Sequence, residues 1–458
     1  MIRALAELAR VTGGVLSGSN AAFGAVISDS RALEPGTLFV ALRGERFDGH
    51  QFVPDAQQKA AAGALVERQV ATPLPQVIVR DALAGLAGFA AAWRRDFDGK
   101  VVGITGSNGK TTVKEMIGSI LSCEGPTLVT KGNLNNHIGV PLTLCRLEAA
   151  HRYAVIEMGA NHQREIAHLA GLARPDVGLV INAGPAHLEG FGGLDGVAKG
   201  KGEMFEALGI DGTAVINADD RFAAFWHGLA RGAGRILTFG VRERADFSAH
   251  DMQSRATDGG FVSEFQLVTP VGRRTVTLAL AGEHNVMNAL AAAAAAYAAG
   301  AGLDAIVAGL ERMRAVAGRL EVKTLPGGAR LIDDSYNANP ASVRAGLRAL
   351  AALEGQHWLV LGEMRELGEE SPQLHAEVGE FARQCGVARL FAVGDEARHA
   401  VEAFGAGATW FASVEDAIAS LRADLAPGVT VLVKGSRSNR LERVAAALGA
   451  GATDVRAH

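Results

Sequence analysis

Cysteine is scarce and scattered in this chain: Cys123, Cys145 and Cys385 are the only three. Thiols so far apart give neither a metal-binding spacing nor a disulfide framework, so a reducing compartment with structural thiols is expected. Long apolar runs are missing too. The least polar stretch, the alanine-rich Ala289 to Leu303, falls short of the ~20 residues that span a bilayer, and alanine is a helix former first. The opening residues Met1 to Glu7 carry an early acid and no apolar core of the signal-peptide kind, which gives a cytoplasmic expectation without membrane insertion. Basic charge is not in excess: the formal net charge of -4 argues against a general nucleic-acid binder. No internal repeat is evident. No dinucleotide fingerprint follows any strand, so NAD binding is not supported.

What is present is a long globular chain. Its 458 residues, 48% hydrophobic and 21% charged, call for two to four domains with sizeable cores. One stretch organises the reading: Gly103-Ile104-Thr105-Gly106-Ser107-Asn108-Gly109-Lys110-Thr111-Thr112. Val101-Val102 before it reads as the end of a strand, and Val113 to Leu121 after it has apolar residues at helical spacing. A glycine-rich turn from strand to helix offers backbone N–H groups and the positive end of a helix to an anion. Lys110 adds charge for outer phosphates, and the Thr111 hydroxyl can ligate a phosphate-bound Mg²⁺. Strict P-loop spacing would put glycine where Ile104 stands, so this is a variant. An ordinary tight turn is the competing reading, and the Gly-Lys-Thr-Thr ending weighs against it. The γ-phosphate of ATP is the expected ligand.

Residues 1–82 read as a small α/β unit with polar clusters at Ser28-Asp29-Ser30-Arg31 and Asp48-Gly49-His50. Ligand contact and plain turn chemistry are both open for these. Residues 83–312 hold the phosphate loop and then Thr130 to Pro141, a glycine-flanked loop bearing Asn133, Asn135, Asn136 and His137, which suggests a binding surface. The strand Tyr153 to Ile156 ends in Glu157, where nucleotide-binding sheets place a metal-directing acid; a simple strand-end charge is the alternative. His187 follows another strand end, either as a metal or phosphate ligand or as a satisfied loop histidine. The helix Val197 to Leu208 carries Lys199 and Lys201. Asn285 and Asn288 share a helix face suited to a purine edge, or Asn285 is a helix cap. Residues 313–458 alternate strands and helices as a doubly wound domain. Its strand ends carry Asp334 to Pro340, Glu363 to Glu366 and Lys434 to Ser438, which the switch-point rule turns toward a ligand.

The combination of Gly106 to Thr112, Glu157, His187-Leu188 with Lys199 beyond it, Gly282 to Asn288, Gly318-Arg319 and Asp334 to Asn337 resembles the Mur ligase family, ATP-dependent amide-bond ligases of peptidoglycan precursor synthesis. The resemblance covers essentially the whole chain. Phe47 to His50, Gly132 to Gly139, Glu157 to Ala160, Ala186 to Gly192 and Tyr336 to Pro340 look like the branch that joins D-alanyl-D-alanine to UDP-N-acetylmuramoyl tripeptide. The Asp-Asn-Pro-Arg signature of the diaminopimelate-adding relative is absent. The resemblance implies an α/β chain of three domains, for the UDP-sugar peptide, for ATP in a mostly parallel sheet, and a Rossmann-like third, acting as a monomer. It also implies roles. Gly106, Ser107, Asn108, Gly109, Lys110, Thr111 and Thr112 would hold the ATP phosphates, with Thr111 on one Mg²⁺. Glu157 and His187 would hold a second metal region, and Lys199, with Lys201 as neighbouring candidate, would be the family's carbamylated lysine. Asn285 and Asn288 would meet adenine, Arg319 the phosphates and Asp334 the ribose. Ser28, Ser30, Arg31, Asp48 and His50 would meet the uridine end, and Asn135 and Asn136 are further substrate-binding candidates. Tyr336, Asn337 and Asn339 would approach the incoming amine. A folylpolyglutamate-type or other Mur ligase is the near alternative, and a P-loop ATPase or kinase the distant one. A non-catalytic nucleotide-binding module is disfavoured by the intact Lys110, Thr111 and Glu157.

Overall fold

Three sheets divide the chain in sequence order. A computed structural model describes residues 3–44, 47–186, 188–257 and 260–449. The first sheet has five strands: Ala25–Ile27, Thr37–Val40, Gly63–Val66 and Gln76–Ile78 run parallel, and Val15–Ser17 closes the edge antiparallel. A short helix, Val53–Gln58, lies between strands Thr37–Val40 and Gly63–Val66. Ala60 at φ 55 turns the chain out of it, and Gly63 belongs to the next strand, where a Cβ would meet Leu5 at 2.7 Å. Helix Ala82–Arg95 is capped by the Asp81 side chain.

The second sheet has nine strands and positions the site. Lys100–Thr105 lies between Tyr153–Glu157 and Val177–Val180, all parallel. Thr213–Asn217, Arg235–Gly240 and Phe247–Thr257 continue the parallel run. Gly260–Thr269 and Gly272–Leu278 then extend it antiparallel. Because the central three strands are neighbours, the phosphate loop, Glu157 and Asn182 emerge side by side at one sheet end, where open α/β sheets bind ligands.

The alanine-rich segment is helix Glu283–Ala298, with Ala289 to Ala296 fully buried. A helix apolar all round is a core helix. Its small side chains let it pack closely beside helix Lys110–Leu121 and the sheet, and this brings Asn285 and Asn288 to the phosphate loop.

The third sheet has the order Glu321–Thr324, Arg330–Asp334, Val429–Lys434, Gln356–Gly362, Val387–Val393, Ala408–Phe411. All neighbours are parallel except the first pair. In the parallel register Asp334 stands opposite Lys434.

Candidate active site

A cleft of about 1290 Å³ opens between the phosphate loop and the strand ends of the third sheet. The loop itself is preorganised. Gly109 has φ +83, and a Cβ there would lie 2.5 Å from Asn288 Oδ1, so only glycine suits both the backbone and the close approach. The adjacent strand end locks the loop: Asn108 N–H donates to Asn182 Oδ1 (2.9 Å), and Asn182 Nδ2 returns a bond to Asn108 O (3.2 Å). Ser107 Oγ and Gly184 bond each other through the side-chain hydroxyl and the backbone. Lys110 Nζ donates to Gly106 O (2.6 Å) and Ser107 O (3.3 Å), arching over its own loop. Burial pushes its ammonium pKa down, Glu157 opposes this, and Arg319 adds repulsion.

Glu157 is buried at the strand end, 2% exposed. Its Oε2 accepts from Thr111 Oγ1 (3.2 Å) and its Oε1 from Asn135 Nδ2 (2.7 Å). Its own N–H is held by Thr130 Oγ1 at 3.0 Å. A cation unread in the sequence stands behind it. Lys114, fully buried, has Nζ 3.7 Å from Glu157 Oε2 and 3.2 Å from Gly132 O. It thereby ties the acid to the asparagine-rich loop.

The third sheet reaches across to the phosphate loop. Arg319 Nη2 donates to Thr111 Oγ1 (3.0 Å) while its guanidinium lies 4.4 Å from the centre of the Tyr336 ring. Asn339 Nδ2 donates to Asn108 Oδ1 at 2.6 Å. Asp334 is clasped by Lys434 Nζ at 2.5 Å. Burial raises the Asp334 carboxyl, with Lys434 pulling the other way. His284, also on the cleft wall, is pushed down to about 4 by burial and by the cations Lys434 and Arg348.

The cleft gathers most of the sequence candidates. Ser107 to Thr112, Asn135, Asn136 and Glu157 line one wall, and Arg319, Asp334, Tyr336, Asn337 and Asn339 the other, with Asn285 and Asn288 between. Gly106 lies buried behind the loop. Asn285 is not a cap: Gly282 is the N-cap, and Asn285 Nδ2 instead donates to Ala281 O. His187 lies outside the described residues. Lys199 is not brought to the cleft; it is exposed on helix Leu194–Glu206. Two residues on, Lys201 is 1% exposed, donates to Ala160 O (3.1 Å) and lies 5.1 Å from the Phe191 ring centre. Burial holds its ammonium well below the usual lysine range, and the nearby Lys110 charge adds to this. Its signal was the apolar stripe Val197, Met204, Phe205, into which Lys201 falls at helical spacing.

The N-terminal candidates also lie apart from the cleft. Ser28 and Ser30 are half-buried and Arg31 is exposed. Asp29 caps the turn Ser30–Ala32 and pairs with Arg31. His50 shows the turn chemistry that the sequence left open. It is buried, its Nδ1 bonds Asp48 (2.6 Å), and its Nε2 accepts from the Glu67 N–H (2.8 Å), so both ring nitrogens serve the fold. Asp48 divides between His50 and Arg68.

The donor set fits a nucleotide and Mg²⁺. Among the described residues no three His, Cys, Asp or Glu side chains cluster as a metal cage. One acid, Glu157, beside one hydroxyl, Thr111, suits an ion that keeps waters and phosphate oxygens in its shell. Arg319 Nε is buried without a partner, as expected of a guanidinium built to meet an anion.

Comparison with known proteins agrees with this geometry. Residues 22–87 match the "Mur ligase family, catalytic domain" model, 104–296 the "Mur ligase middle domain" and 318–437 the "Mur ligase, glutamate ligase domain". The UDP-N-acetylmuramoyl-tripeptide--D-alanyl-D-alanine ligase of Escherichia coli (strain K12) is 45% identical over 97% of this chain and 98% of its own. A crystal structure of MurF from Acinetobacter baumannii superposes with TM-score 0.91 at 36% identity, over 98% of this chain and 99% of that one. MurF ligase from Thermotoga maritima in complex with ADP gives TM-score 0.79 at 28% identity, over 93% and 97% of the two chains. With a full-length relative at this identity, a three-part match in chain order and a cleft of this build, the chain belongs to the Mur ligase family.

Proposed function

We propose that this enzyme joins D-alanyl-D-alanine to UDP-N-acetylmuramoyl tripeptide at the expense of ATP, in peptidoglycan precursor synthesis, as a Mg²⁺-dependent monomer in the cytoplasm. The supporting observation is that the phosphate loop and the Tyr336–Asn339 loop face one cleft and touch, through Asn339 and Asn108. Phosphate activation and amine attack can therefore share one enclosure.

A carboxylate is a poor acyl donor because hydroxide leaves badly. Attack of the tripeptide carboxylate on the γ-phosphate gives an acyl phosphate and ADP. The dipeptide amine then attacks the acyl carbon and phosphate leaves. Two anions must meet in the first step, so Lys110 and Arg319 stand where negative charge accumulates. Thr111 and Glu157 would hold Mg²⁺, which neutralises phosphate charge when bound. Asn285 and Asn288 are assigned to the adenine, Asp334 to the ribose, and Asn135 and Asn136 to the acceptor peptide. Ser28 to Arg31 and Asp48 are assigned to the uridine end of the long UDP-peptide, outside the cleft. The carbamylated-lysine role passes from Lys199 to Lys201, because Lys201 is buried and feels the Lys110 charge while Lys199 is exposed. Enclosure orders both peptides and keeps water from the acyl phosphate.

The test supplies UDP-muramoyl tripeptide, D-Ala-D-Ala and ATP, and follows pentapeptide and phosphate together. Product in proportion to phosphate, with dependence on both peptides, is expected. Brisk phosphate release without the amine, and no pentapeptide, would sink the proposal.

A further inference from the structure

The loop after strand Gln356–Gly362 carries Arg365 and Glu366, both on the third-sheet wall of the cleft. Arg365 pairs through Nη2 with the buried Glu363 carboxylate, and its guanidinium together with the Glu366 carboxylate puts both signs of charge on this wall, which suits a zwitterion. The loop is not relaxed: Glu366 has φ +65, a conformation that non-glycine residues hold only when their surroundings impose it. The residues just before it are tethered from two sides. From the strand-end loop of Val429–Lys434, Ser436 Oγ accepts the Arg365 N–H (2.9 Å), and Ser436 N–H donates to Glu363 O (3.0 Å). From behind, His375 Nε2 accepts the Met364 N–H at 2.9 Å.

His375 is fully buried in the first turns of helix Ser371–Gln384. Its Nδ1 lies 2.8 Å from Ser371 O, an acceptor only, so Nδ1 carries the proton and Nε2 is left to accept. One neutral tautomer satisfies both partners. His375 is not among the residues lining the cleft and belongs to no metal-ligating group among the described residues, so it reaches the cleft through the loop it holds.

We infer that His375 is a positioning residue for the incoming dipeptide: by pinning Met364 it sets Arg365 and Glu366 as the wall that receives the zwitterion. This rests on the ligase reading above. The test measures the KM for each substrate in His375→Asn, whose shorter amide cannot reach Met364, and in His375→Gln, whose amide oxygen can stand in for Nε2. Loss of a bond to a buried N–H is expected to raise the D-Ala-D-Ala KM about tenfold in the Asn variant. The KM values for ATP and tripeptide should stay within about twofold, and Gln should restore most of the loss. If the Asn variant does not fold, Ser436→Ala removes the hydroxyl that accepts the Arg365 N–H, keeps the backbone bond to Glu363 O, and must raise the same KM selectively. An unchanged dipeptide KM, an equal rise for all three substrates, or a Gln variant no better than Asn overturns the inference with the ligase reading intact. No pentapeptide from the wild type overturns both.

Discussion

Lys199 and Lys201 offer a direct contest over which lysine serves the chemistry. As an ammonium, Lys201 is desolvated, faces the ring of Phe191, has one carbonyl acceptor in Ala160 and feels the like charge of Lys110, with the carboxylates of Glu165 and Glu203 opposing. Converting it to a carbamate, by addition of CO₂ to the neutral amine with loss of a proton, replaces repulsion from Lys110 by attraction. The lowered pKa favours the neutral amine that this addition needs. Removing a preorganised charged group from such a site costs on the order of 100-fold in kcat, about 2.7 kcal/mol of barrier. Lys201→Ala should lose that much in peptide-dependent phosphate release, and short-chain carboxylic acids should restore part of it by occupying the vacated space. Lys199→Ala removes an exposed side chain and should stay within about twofold, matching the ±0.5 kcal/mol typical of surface changes. An inactive Lys199→Ala beside a fully active Lys201→Ala would refute the assignment.

Other perturbations probe the remaining parts. Gly109→Ala forces an L-residue to φ +83 and a methyl against Asn288. It should cost about 1–2 kcal/mol in denaturant unfolding and abolish ADP binding by calorimetry, and wild-type ADP affinity would contradict the close-approach reading. His284 has a folded-state pKa depressed from 6.5 to about 4, so its contribution to stability is complete above pH 6.5 and is lost as pH falls toward 4. The full loss is at most about 3 kcal/mol. Unfolding curves between pH 7 and 4 should therefore be steeper in pH for the wild type than for His284→Gln, and parallel curves would dismiss the effect. Glu157→Gln keeps the hydrogen-bond geometry and removes the charge. Nucleotide affinity without Mg²⁺ should persist while its enhancement by Mg²⁺ falls about tenfold or more, and an undiminished Mg²⁺ enhancement would remove Glu157 from the metal.

The phosphate loop was legible because its demands are local: a positive-φ glycine, a strand before, a helix after. Glu157 was legible for the same reason, as the last residue of an apolar strand. The lysines were not. Residues 199 and 201 point to nearly opposite sides of a helix, and which side faces the site depends on how Leu194–Glu206 packs on Glu165–Ala173 and Val177–Val180, a long-range fact. Lys114 has the same character: its position among Val113, Ile117 and Leu121 marks it as buried, but its partners Glu157 and Gly132 come from other segments. His50 stayed open because an aspartate two residues before a histidine looks alike whether it serves a ligand or a turn, and only the Glu67 N–H behind the ring decides.

The contact between the third sheet and the phosphate loop can be separated from helix capping at a single residue. Asn339 does two things at once. Its Oδ1 accepts the Ser342 N–H (2.9 Å), capping helix Pro340–Ala351, and its Nδ2 donates to Asn108 Oδ1. Asparagine and aspartate are equivalent N-caps, so Asn339→Asp should keep the cap and unfold within about 0.5 kcal/mol of the wild type. The crossing bond is lost, however, and a carboxylate oxygen is set against the Asn108 amide oxygen, beside a loop assigned to phosphate. A missing hydrogen bond plus this repulsion amounts to about 1–3 kcal/mol, or tenfold to a hundredfold. The loss should fall on kcat, since the bond matters when the two walls must meet around both substrates. Alanine at the same position would lose cap and contact together, showing reduced stability as well as reduced turnover. Aspartate with wild-type kcat would mean that the walls are held by Arg319 and Thr111 alone, and that the Asn339 amide nitrogen is incidental to closure.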